Sequence, residues 1–144
     1  MDHVAIMKKS WHLLSKILSG EKTIESRWYM HRCEAWDKVA KGDTVFFKNS
    51  GEPVIVKAEV RKVLQFDKLT PARVKRILEQ YGGKDGIGSE SLSGIWKWAR
   101  GKAYCVLIFL KNPKTVRPFR IDKTGYGSAA AWLSVNDIRT IKEL

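Results

Sequence analysis

The pattern of apolar and polar residues along the chain predicts mostly strands, with a few short helices between them. In the clearest strand, at 54–66, apolar residues alternate with Lys57, Glu59 and Arg61, which is typical of a strand that buries one face. Its length suits a strand that bends around a barrel. Its inward positions would be Val54, Val56, Ala58, Val60 and Val63. Further strands are predicted at 4–7, 23–28, 44–48, 104–110 and 117–121. The most apolar of them, 104–110, is expected to be buried on both faces.

Helices are indicated where apolar residues recur at helical spacing or where a helix-starting residue precedes them. Thr70 and Pro71 form the strongest start, because the hydroxyl can cap the helix and proline suits its first position. Weaker helices are predicted after Ser10 and at 34–40, 95–98 and 135–141. The glycine-rich segment 82–93 is predicted to be a mobile loop that could gate a pocket.

Many strands of unequal length with several short helices indicate an α+β fold. One long bent strand among them favours a small, partly closed β-barrel flanked by short helices. The 144 residues fit one domain, 1–144, because a chain of that length can bury most of its apolar surface around one core.

The charge balance adds an expectation about partners. Twenty-seven Lys and Arg against 15 Asp and Glu give a formal net charge of +12, which attracts polyanions such as nucleic acid. The alternative is that a lysine-rich surface keeps a heat-adapted protein soluble.

The location of the protein is predicted from what the sequence lacks. No apolar run approaches the roughly 18 residues of a membrane span, and the first residues do not have a signal-peptide layout. Cys33 and Cys105 belong to no Cys/His cluster, so we expect reduced thiols in a cytoplasmic protein.

One motif carries a family resemblance. Residues 20–27 read Gly-Glu-Lys-Thr-Ile-Glu-Ser-Arg, and the pattern Gly-x-Lys-x-x-Glu-x-Arg in this stretch resembles the signature of the ASCH family, relatives of PUA domains. All four positions match, at Gly20, Lys22, Glu25 and Arg27. A tryptophan-bearing helix before the motif, a Gly-Asp turn after it, a long strand and a late apolar strand also resemble the family layout across nearly the whole chain.

The resemblance implies a PUA-like pseudobarrel with a basic cleft lined by the motif residues, and a role in binding RNA or a nucleotide. Lys22 would contact a phosphate or base edge as a point charge, and Arg27 would offer a planar fork for two hydrogen bonds. Glu25 would orient one of them or accept a base amino group. Glu25 and Arg27 fall on one face of the predicted strand and can pair there. The alternative is an ordinary exposed ion pair beside a solvated Lys22.

Catalysis is a second possibility. The resemblance implies hydrolases among the relatives, acting on acylated cytidines or on RNA. In the amidase branch a threonine nucleophile occupies the position of Glu25, whereas Thr23 of this chain lies on the other side of Ile24. Lys22 as base and Glu25 as acid are the remaining catalytic candidates.

No cofactor or metal is expected. The three histidines, His3, His12 and His31, lie at no ligand spacing, and each is interpreted as a surface residue or a satisfied core residue.

Aromatic and basic residues add candidates for contact with RNA or a nucleotide. Trp28, Trp96 and Trp98 could stack on bases or serve packing, whereas Trp11 and Trp132 are expected in the core. The densest basic stretch could follow a phosphate backbone or form a solvated surface: Arg61, Lys62, Lys68, Arg73, Lys75 and Arg76. The predicted ligand-binding residues are Lys22, Thr23, Glu25, Arg27, Trp28, Arg73, Arg76, Trp96 and Trp98. A scaffold for protein partners, as in coactivator relatives, is a third possibility.

Overall fold

The strands form one mixed sheet. The computed structural model describes residues 1–32, 34–86, 89–127 and 129–143, with only the backbone at 89–93. Within these residues the strands are β1 (Asp2–Met7), β2 (Ile24–Tyr29), β3 (Thr44–Asn49), β4 (Val54–Phe66), β5 (Tyr104–Phe119) and β6 (Trp132–Val135). Their order is β2-β5-β4-β3-β1-β6, and all neighbours are antiparallel except β1 and β3. The sheet curls into a half-barrel, which confirms the predicted α+β fold built on a small, partly closed barrel.

Short helices flank this sheet. The described helices are α1 (Leu13–Ser19), α2 (Pro71–Tyr81) and α3 (Ser89–Ala99), with single 3-10 turns at Lys9–Trp11 and Ile138–Thr140. The start of α2 is confirmed, because the Thr70 hydroxyl accepts the Arg73 backbone N–H at 3.3 Å. The α1 helix ends at Gly20, whose φ of +83° suits a glycine C-cap.

The long pair β4 and β5 gives the sheet its curvature. The pairing between them shifts register between Val54 and Val56, between Lys57 and Glu59, and between Val60 and Lys62. Each such bulge raises the local twist and bends the strand. The strand predicted at 54–66 is confirmed in its bounds, and its alternation of buried and more exposed residues holds over the first half. Of the predicted inward positions, Val54 differs: it lies before the first register shift and packs in a different cluster from Val56, Ala58 and Val60.

The core lies on both faces of the sheet. On the inner face, Ala5, Phe47 and Ile108 belong to a cluster that includes Leu14 and Ile17 of α1. On the outer face, one cluster lies under α2 and α3, and includes Ile24, Val74, Leu78, Leu107 and Phe109. Another outer cluster lies at the β1 and β6 end, and includes Val4, Phe46, Val54 and Leu133. The segment 104–110 is therefore buried on both faces, as predicted.

Two predicted helices near the N-terminus differ from the structure. Ser10 does not start a helix, because His12 adopts φ +54° and α1 begins only at Leu13. Trp11 precedes that break and is 51% exposed, so its placement in the core was wrong. The helix predicted at 34–40 is also wrong. Left-handed φ values at Glu34 and Asp37 interrupt any helical run, and residues 34–38 form turns instead.

The last third of the chain contains more strand than predicted. Residues 117–121 are not a separate strand, because β5 runs without a break to Phe119 along its long partner β4. The helix predicted at 135–141 is wrong as well. Its first residue, Val135, is the last residue of β6 and pairs with Asp2 of β1, and the Asp137 cap, which accepts the Arg139 N–H at 2.9 Å, starts only one 3-10 turn.

Two smaller observations complete the fold. Cys105 is a buried free thiol, whereas Cys33 lies outside the described residues. No helix in the described parts of the chain is long and apolar enough to cross a membrane.

Candidate functional site

The second half of the motif lies on β2, which forms one edge of the sheet, and Lys22 lies just before this strand. Glu25 and Arg27 pair in register with Ile108 and Val106 of β5, so both side chains point to the inner face. The Arg27 Nη2 donates to Glu25 Oε2 at 2.9 Å. Glu25 is 4% exposed and the Arg27 side chain 13%. The two residues therefore pair as expected from the strand, but as a buried ion pair rather than an exposed one.

Lys22 is buried beside this pair. Its Nζ donates to the backbone oxygen of Ile24 at 2.6 Å and to Asp85, at 2.7 Å to both the backbone oxygen and Oδ1. Glu25 Oε1 lies 3.2 Å away. These acceptors use all three protons of the ammonium group, and the residue is only 2% exposed. In this arrangement Lys22 offers no free donor to a phosphate.

Asp85 is the site residue that the sequence analysis missed. Its Oδ1 accepts the Ser26 backbone N–H at 3.1 Å, and its Oδ2 accepts the Ser26 hydroxyl at 2.5 Å. It gives the cluster two carboxylates for two cations, so the buried charges balance. The sequence did contain a signal, because the motif carries two cations and one acid, and burying it requires a second carboxylate nearby.

The segment that carries Asp85 is bound to the free edge of β2. The backbone N–H groups of Thr23 and Ile24 both donate to the Lys84 oxygen, at 2.8 and 3.0 Å. Lys16 Nζ donates to the Gly86 oxygen at 3.0 Å. The loop predicted at 82–93 is therefore too long: residues 82–86 form turns that are hydrogen-bonded to the edge of β2, whereas α3 begins at Ser89. Residues 87 and 88 lie outside the described chain.

Burial and the neighbouring charges shift the pKa values of the two carboxylates of the cluster in opposite directions. Burial would raise the pKa of Glu25, but the charges of Lys22 and Arg27 lower it below its ordinary value. Burial raises the pKa of Asp85, and the nearby Glu25 charge adds to this against the opposing effect of Lys22. Burial would lower the pKa of Lys22, but Glu25 and Asp85 raise it. A raised lysine pKa is the opposite of what a lysine general base needs.

Arg27 also connects the two edges of the half-barrel. Its Nη1 donates to the backbone oxygen of Ala131, just before β6, at 3.1 Å, and its guanidinium lies 5.3 Å from the centroid of the Trp132 ring. Trp132 is 3% exposed, which confirms its predicted core position. Since β2 and β6 are opposite edges of the sheet, Arg27 closes the gap between them. Its buried Nε has no hydrogen-bond partner among the described residues.

Comparison with known proteins points to one kind of fold. No family model matches the chain, and no curated protein matches it significantly. Among solved structures, ASCH from Zymomonas mobilis covers 96% of this chain and 90% of its own, with a TM-score of 0.68 at 16% identity. An ASCH domain from Lactobacillus crispatus covers 75% of this chain and 78% of its own, with a TM-score of 0.50 at 15% identity. The chain has an ASCH-type fold. The N-terminal domain of McrB from Staphylothermus marinus is also similar, covering 93% of this chain and 87% of its own, with a TM-score of 0.54 at 14% identity.

The remaining predicted residues lie elsewhere on the ASCH-type half-barrel. Trp28 points to the outer face, is 8% exposed and donates from Nε1 to the Ser26 hydroxyl at 3.1 Å, so it serves packing. Thr23 is partly buried, and its backbone oxygen accepts the Leu110 N–H at 2.8 Å. The buried Trp28 ring is therefore not placed for stacking on a base.

The other four predicted residues are on α2 and α3. Arg73 and Arg76 are exposed on α2. Trp98 is 54% exposed, with the Lys102 ammonium 4.7 Å from its ring centroid. Trp96 is half-buried, and its Nε1 donates to the Pro71 oxygen at 3.3 Å.

Cations lie over aromatic rings throughout this part of the surface. Arg61 and Lys62 lie over the Phe109 ring at 5.3 and 4.8 Å, and Arg100 lies over Trp96 at 5.2 Å. We call this surface the basic–aromatic face; it comprises Arg61, Lys62, Arg73, Arg76, Trp96, Trp98, Arg100 and Lys102. It lies on the side of the sheet opposite Glu25 and Arg27.

The histidines have ordinary environments. His3 is buried, with Nε2 2.8 Å from Asp43 Oδ2 and Nδ1 2.9 Å from the Ser134 hydroxyl. His12 and His31 are exposed. Among the described residues, no group of three or more His, Cys, Asp and Glu side chains could hold a metal ion.

Proposed function

We propose that this chain binds single-stranded RNA on the basic–aromatic face. The observation that carries the proposal is Trp98, a large aromatic ring that is 54% exposed and has the Lys102 ammonium beside it. An exposed ring of this kind can stack on a base while the adjacent cation meets a phosphate. Single-stranded nucleic acid needs both contacts, repeated along a groove or face.

The cations of this face support the proposal because their charge is available. Within the described residues, Arg73, Arg76, Arg100 and Lys102 have no ion pair with a carboxylate. Phosphate groups can therefore approach them without displacing an internal partner. The formal net charge of +12 favours the same class of ligand.

The motif supports this function by positioning rather than by contact. Lys22 and Ser26 hold Asp85, and Asp85 belongs to the segment that follows α2 and precedes α3. Anchoring that segment to β2 limits where the two helices of the basic–aromatic face can lie. We propose Lys22, Glu25 and Arg27 as residues that set this geometry, with no direct role for Lys22 in holding the ligand.

Fluorescence anisotropy with labelled oligonucleotides tests the proposal. Wild type should bind a short single-stranded RNA, and Trp98→Ala should weaken binding about tenfold, since one base–aromatic stack contributes roughly 1–3 kcal/mol. Trp11→Ala is the matched control, because Trp11 is 51% exposed and has Lys8 5.5 Å from its ring centroid. It should bind like wild type.

The charge contribution is tested by salt dependence. Arg73→Ala with Arg76→Ala should reduce the magnitude of the slope of log K against log salt by about 1.4, because each of the two lost phosphate contacts to a single strand contributes roughly 0.7. Lys38→Ala with Lys41→Ala removes the same charge from exposed positions outside this face and serves as control. An equal decrease of the slope in both double variants would show only nonspecific attraction between the basic protein and RNA.

Parallel titrations with single-stranded DNA and free nucleotides define the ligand. Preference for RNA over DNA of the same sequence supports the proposal. The proposal fails if no RNA binds, or if Trp98→Ala and Trp11→Ala bind alike.

A further inference from the structure

Two aromatic rings meet at the end of the half-barrel where β5 begins. The centroids of the Trp36 and Tyr104 rings are 5.1 Å apart, and the ring planes are inclined at 71°. We call this pair the aromatic corner. The guanidinium carbon of Arg32 lies 5.6 Å from both ring centroids. In the described parts of the chain, no other cation lies over two rings.

The aromatic corner is on the inner side of the sheet, away from the basic–aromatic face. Trp36 packs against the inner cluster. Tyr104 is two positions before Val106 on β5, so both side chains point to the same face, and Val106 belongs to the inner cluster. Trp36 and Tyr104 are both half-buried, which leaves part of each residue open to solvent.

Trp36 is held by a strained turn. Glu34 and Asp37, on either side of it, have φ values of +51° and +58°. Such left-handed residues persist only where the surrounding structure holds them. Here Gln65 of β4 does so, because its Oε1 accepts the Asp37 backbone N–H at 2.7 Å and its Nε2 donates to Asp37 Oδ1 at 2.8 Å. The turn is thus fixed before any ligand arrives, and such pre-organisation favours binding.

Arg32, in contrast, is held weakly. Its side chain is 58% exposed, and its ion pair joins Nη2 to Asp67 Oδ2 at 3.6 Å, which is too long for a hydrogen bond. The Asp67 side chain is itself 45% exposed. Within the described residues, the Arg32 guanidinium has no hydrogen bond. An exposed arginine with so few contacts can leave the aromatic corner at little cost.

We propose that Trp36, Tyr104 and Asp67 form a binding site for a quaternary ammonium group, and that Arg32 occupies this site until the ligand displaces it. A planar guanidinium lies flat on only one ring at a time, whereas a rounded quaternary ammonium contacts both rings of a steep corner. The Asp67 carboxylate balances its charge. The group is carried by a small molecule of the choline type or by a trimethylated lysine of another protein.

Choline is the first probe, compared with its uncharged isostere, in which carbon replaces the ammonium nitrogen. Two-dimensional NMR of the nitrogen-labelled protein follows the indole N–H of Trp36 and the backbone amides of 34–38. Choline should shift these signals and saturate. The isostere should bind about tenfold more weakly, because it has the same shape without the charge that the rings attract.

Arg32→Ala gives the sharpest test, because it should tighten binding. Removing the resident cation frees the site, so we expect choline to bind about threefold more tightly than to wild type. Arg139→Ala is the matched control, since Arg139 is also an exposed arginine paired with an aspartate, Asp137, but over no ring within the described residues. Both variants remove one positive charge, and the control should leave the affinity for choline unchanged.

Two further substitutions should weaken binding. Trp36→Leu removes one wall of the aromatic corner, so we expect about tenfold weaker binding of choline. Trp11→Leu is its control, because Trp11 is 51% exposed and has one cation, Lys8, over its ring. Asp67→Asn keeps the shape of an exposed side chain and should weaken binding about threefold without affecting the fold.

A modified peptide distinguishes the two sources of the group. A short peptide with trimethyllysine is compared with the same peptide carrying unmodified lysine, and with choline. Trimethyllysine binding more tightly than both assigns the site to a protein ligand. Equal binding of choline and the trimethyllysine peptide assigns it to a small molecule.

Three results would each overturn the proposal: neither choline nor the trimethyllysine peptide binds, the uncharged isostere binds as tightly as choline, or Arg32→Ala binds choline no more tightly than Arg139→Ala. The site is independent of RNA binding on the basic–aromatic face, which is scored by Trp98→Ala. Failure of one proposal therefore leaves the other standing.

Discussion

The motif cluster on β2 and the basic–aromatic face on α2 and α3 both contain several charged side chains, and they differ in how those charges are balanced. In the motif cluster, Lys22 and Arg27 are buried and both contact Glu25, while Lys22 also contacts Asp85. On the basic–aromatic face, the exposed Arg61 and Arg100 and the partly exposed Lys102 lie over aromatic rings and have no ion pair within the described residues.

The difference follows from how far each charge is exposed to water. A charge that leaves water loses several kcal/mol of hydration and needs a partner of opposite sign, whereas an exposed charge is screened by water and salt. Compensated charges hold the fold, and uncompensated exposed charges remain available for a ligand. The first region is therefore expected to determine stability and the second to determine binding, although the sequence presents both simply as basic.

The largest effect should come from Lys22→Met. Removing this cation leaves Glu25 and Asp85 buried near each other, so we expect a loss of about 3–5 kcal/mol in the free energy of unfolding. Urea denaturation measures it, with Lys41→Met as an exposed control within about 0.5 kcal/mol of wild type. Adding Asp85→Asn to Lys22→Met should recover part of the loss. A loss below about 1 kcal/mol in the single variant would contradict the description of Lys22 as a buried, paired cation.

Two tryptophans give the next contrast. Trp28→Ala should cost about 3 kcal/mol because it empties a packed position of the outer core, whereas Trp98→Ala should cost less than about 1 kcal/mol. Thermal unfolding of the two variants measures the difference. Similar losses in both would remove the distinction between a packing tryptophan and a binding tryptophan.

Arg27→Lys probes the contact across the open side of the half-barrel. Lysine keeps the charge near Glu25 but has no fork with which to reach Glu25 and the Ala131 oxygen together, so we expect a loss of about 2 kcal/mol. Hydrogen exchange of the β6 amides should increase more than that of the β4 amides. Uniform protection across both strands would show that Arg27 does not connect the two edges.

The two buried carboxylates should respond to pH in opposite directions. The pKa of Glu25 is lowered in the folded state, so its stabilising effect is present above the ordinary value of 4.5 and is lost as the pH falls through the folded pKa. The pKa of Asp85 is raised, so its contribution is greatest below the ordinary value of 3.8 and is lost as the pH rises through the folded pKa.

Urea unfolding between pH 3 and pH 7 checks this, and each variant removes one titration. On acidification, wild type should lose stability relative to Glu25→Gln and gain stability relative to Asp85→Asn. If, on acidification, wild type lost stability relative to both variants or gained stability relative to both, the two carboxylates would titrate as one unit.

The smallest effect is expected on the basic–aromatic face. Arg73→Ala with Arg76→Ala reduces the positive charge of the protein and should change the free energy of unfolding by no more than about 0.5 kcal/mol at low salt. That change should shrink at 1 M salt, where the Debye length is about 3 Å. The loss caused by Lys22→Met should persist at the same salt, because its partners are buried.

Local features of the fold were readable from the sequence where a short stretch determines its own structure. Buried and more exposed residues alternate over the first half of the 54–66 strand. The helix start at Thr70 and Pro71 depends only on a capping hydroxyl and on the fixed backbone φ of proline. The incorrect predictions concern segments whose secondary structure depends on pairing with a strand far away in the sequence. The sequence predicts separate strands at 104–110 and 117–121, yet β4 extends beside the intervening residues 111–116 and keeps all of them in one strand. A helix is predicted from Val135, yet pairing with β1 makes residues 132–135 an edge strand.

The features of the candidate site also fall into those that the sequence determines locally and those that depend on distant contacts. The motif, the spacing of Glu25 and Arg27 on one strand face, and the excess of positive charge were all determined by the sequence, because each depends on residue type and on the period of a strand. Only the tertiary structure decided that Lys22 is buried, that Asp85 completes the cluster, and that Arg27 reaches the far edge of the sheet. Asp85 is 63 residues from Lys22, and Ala131 is 104 residues from Arg27. Contacts at such separations exist only after the sheet has curled, since no local preference of the chain specifies which distant side chains the curvature brings together.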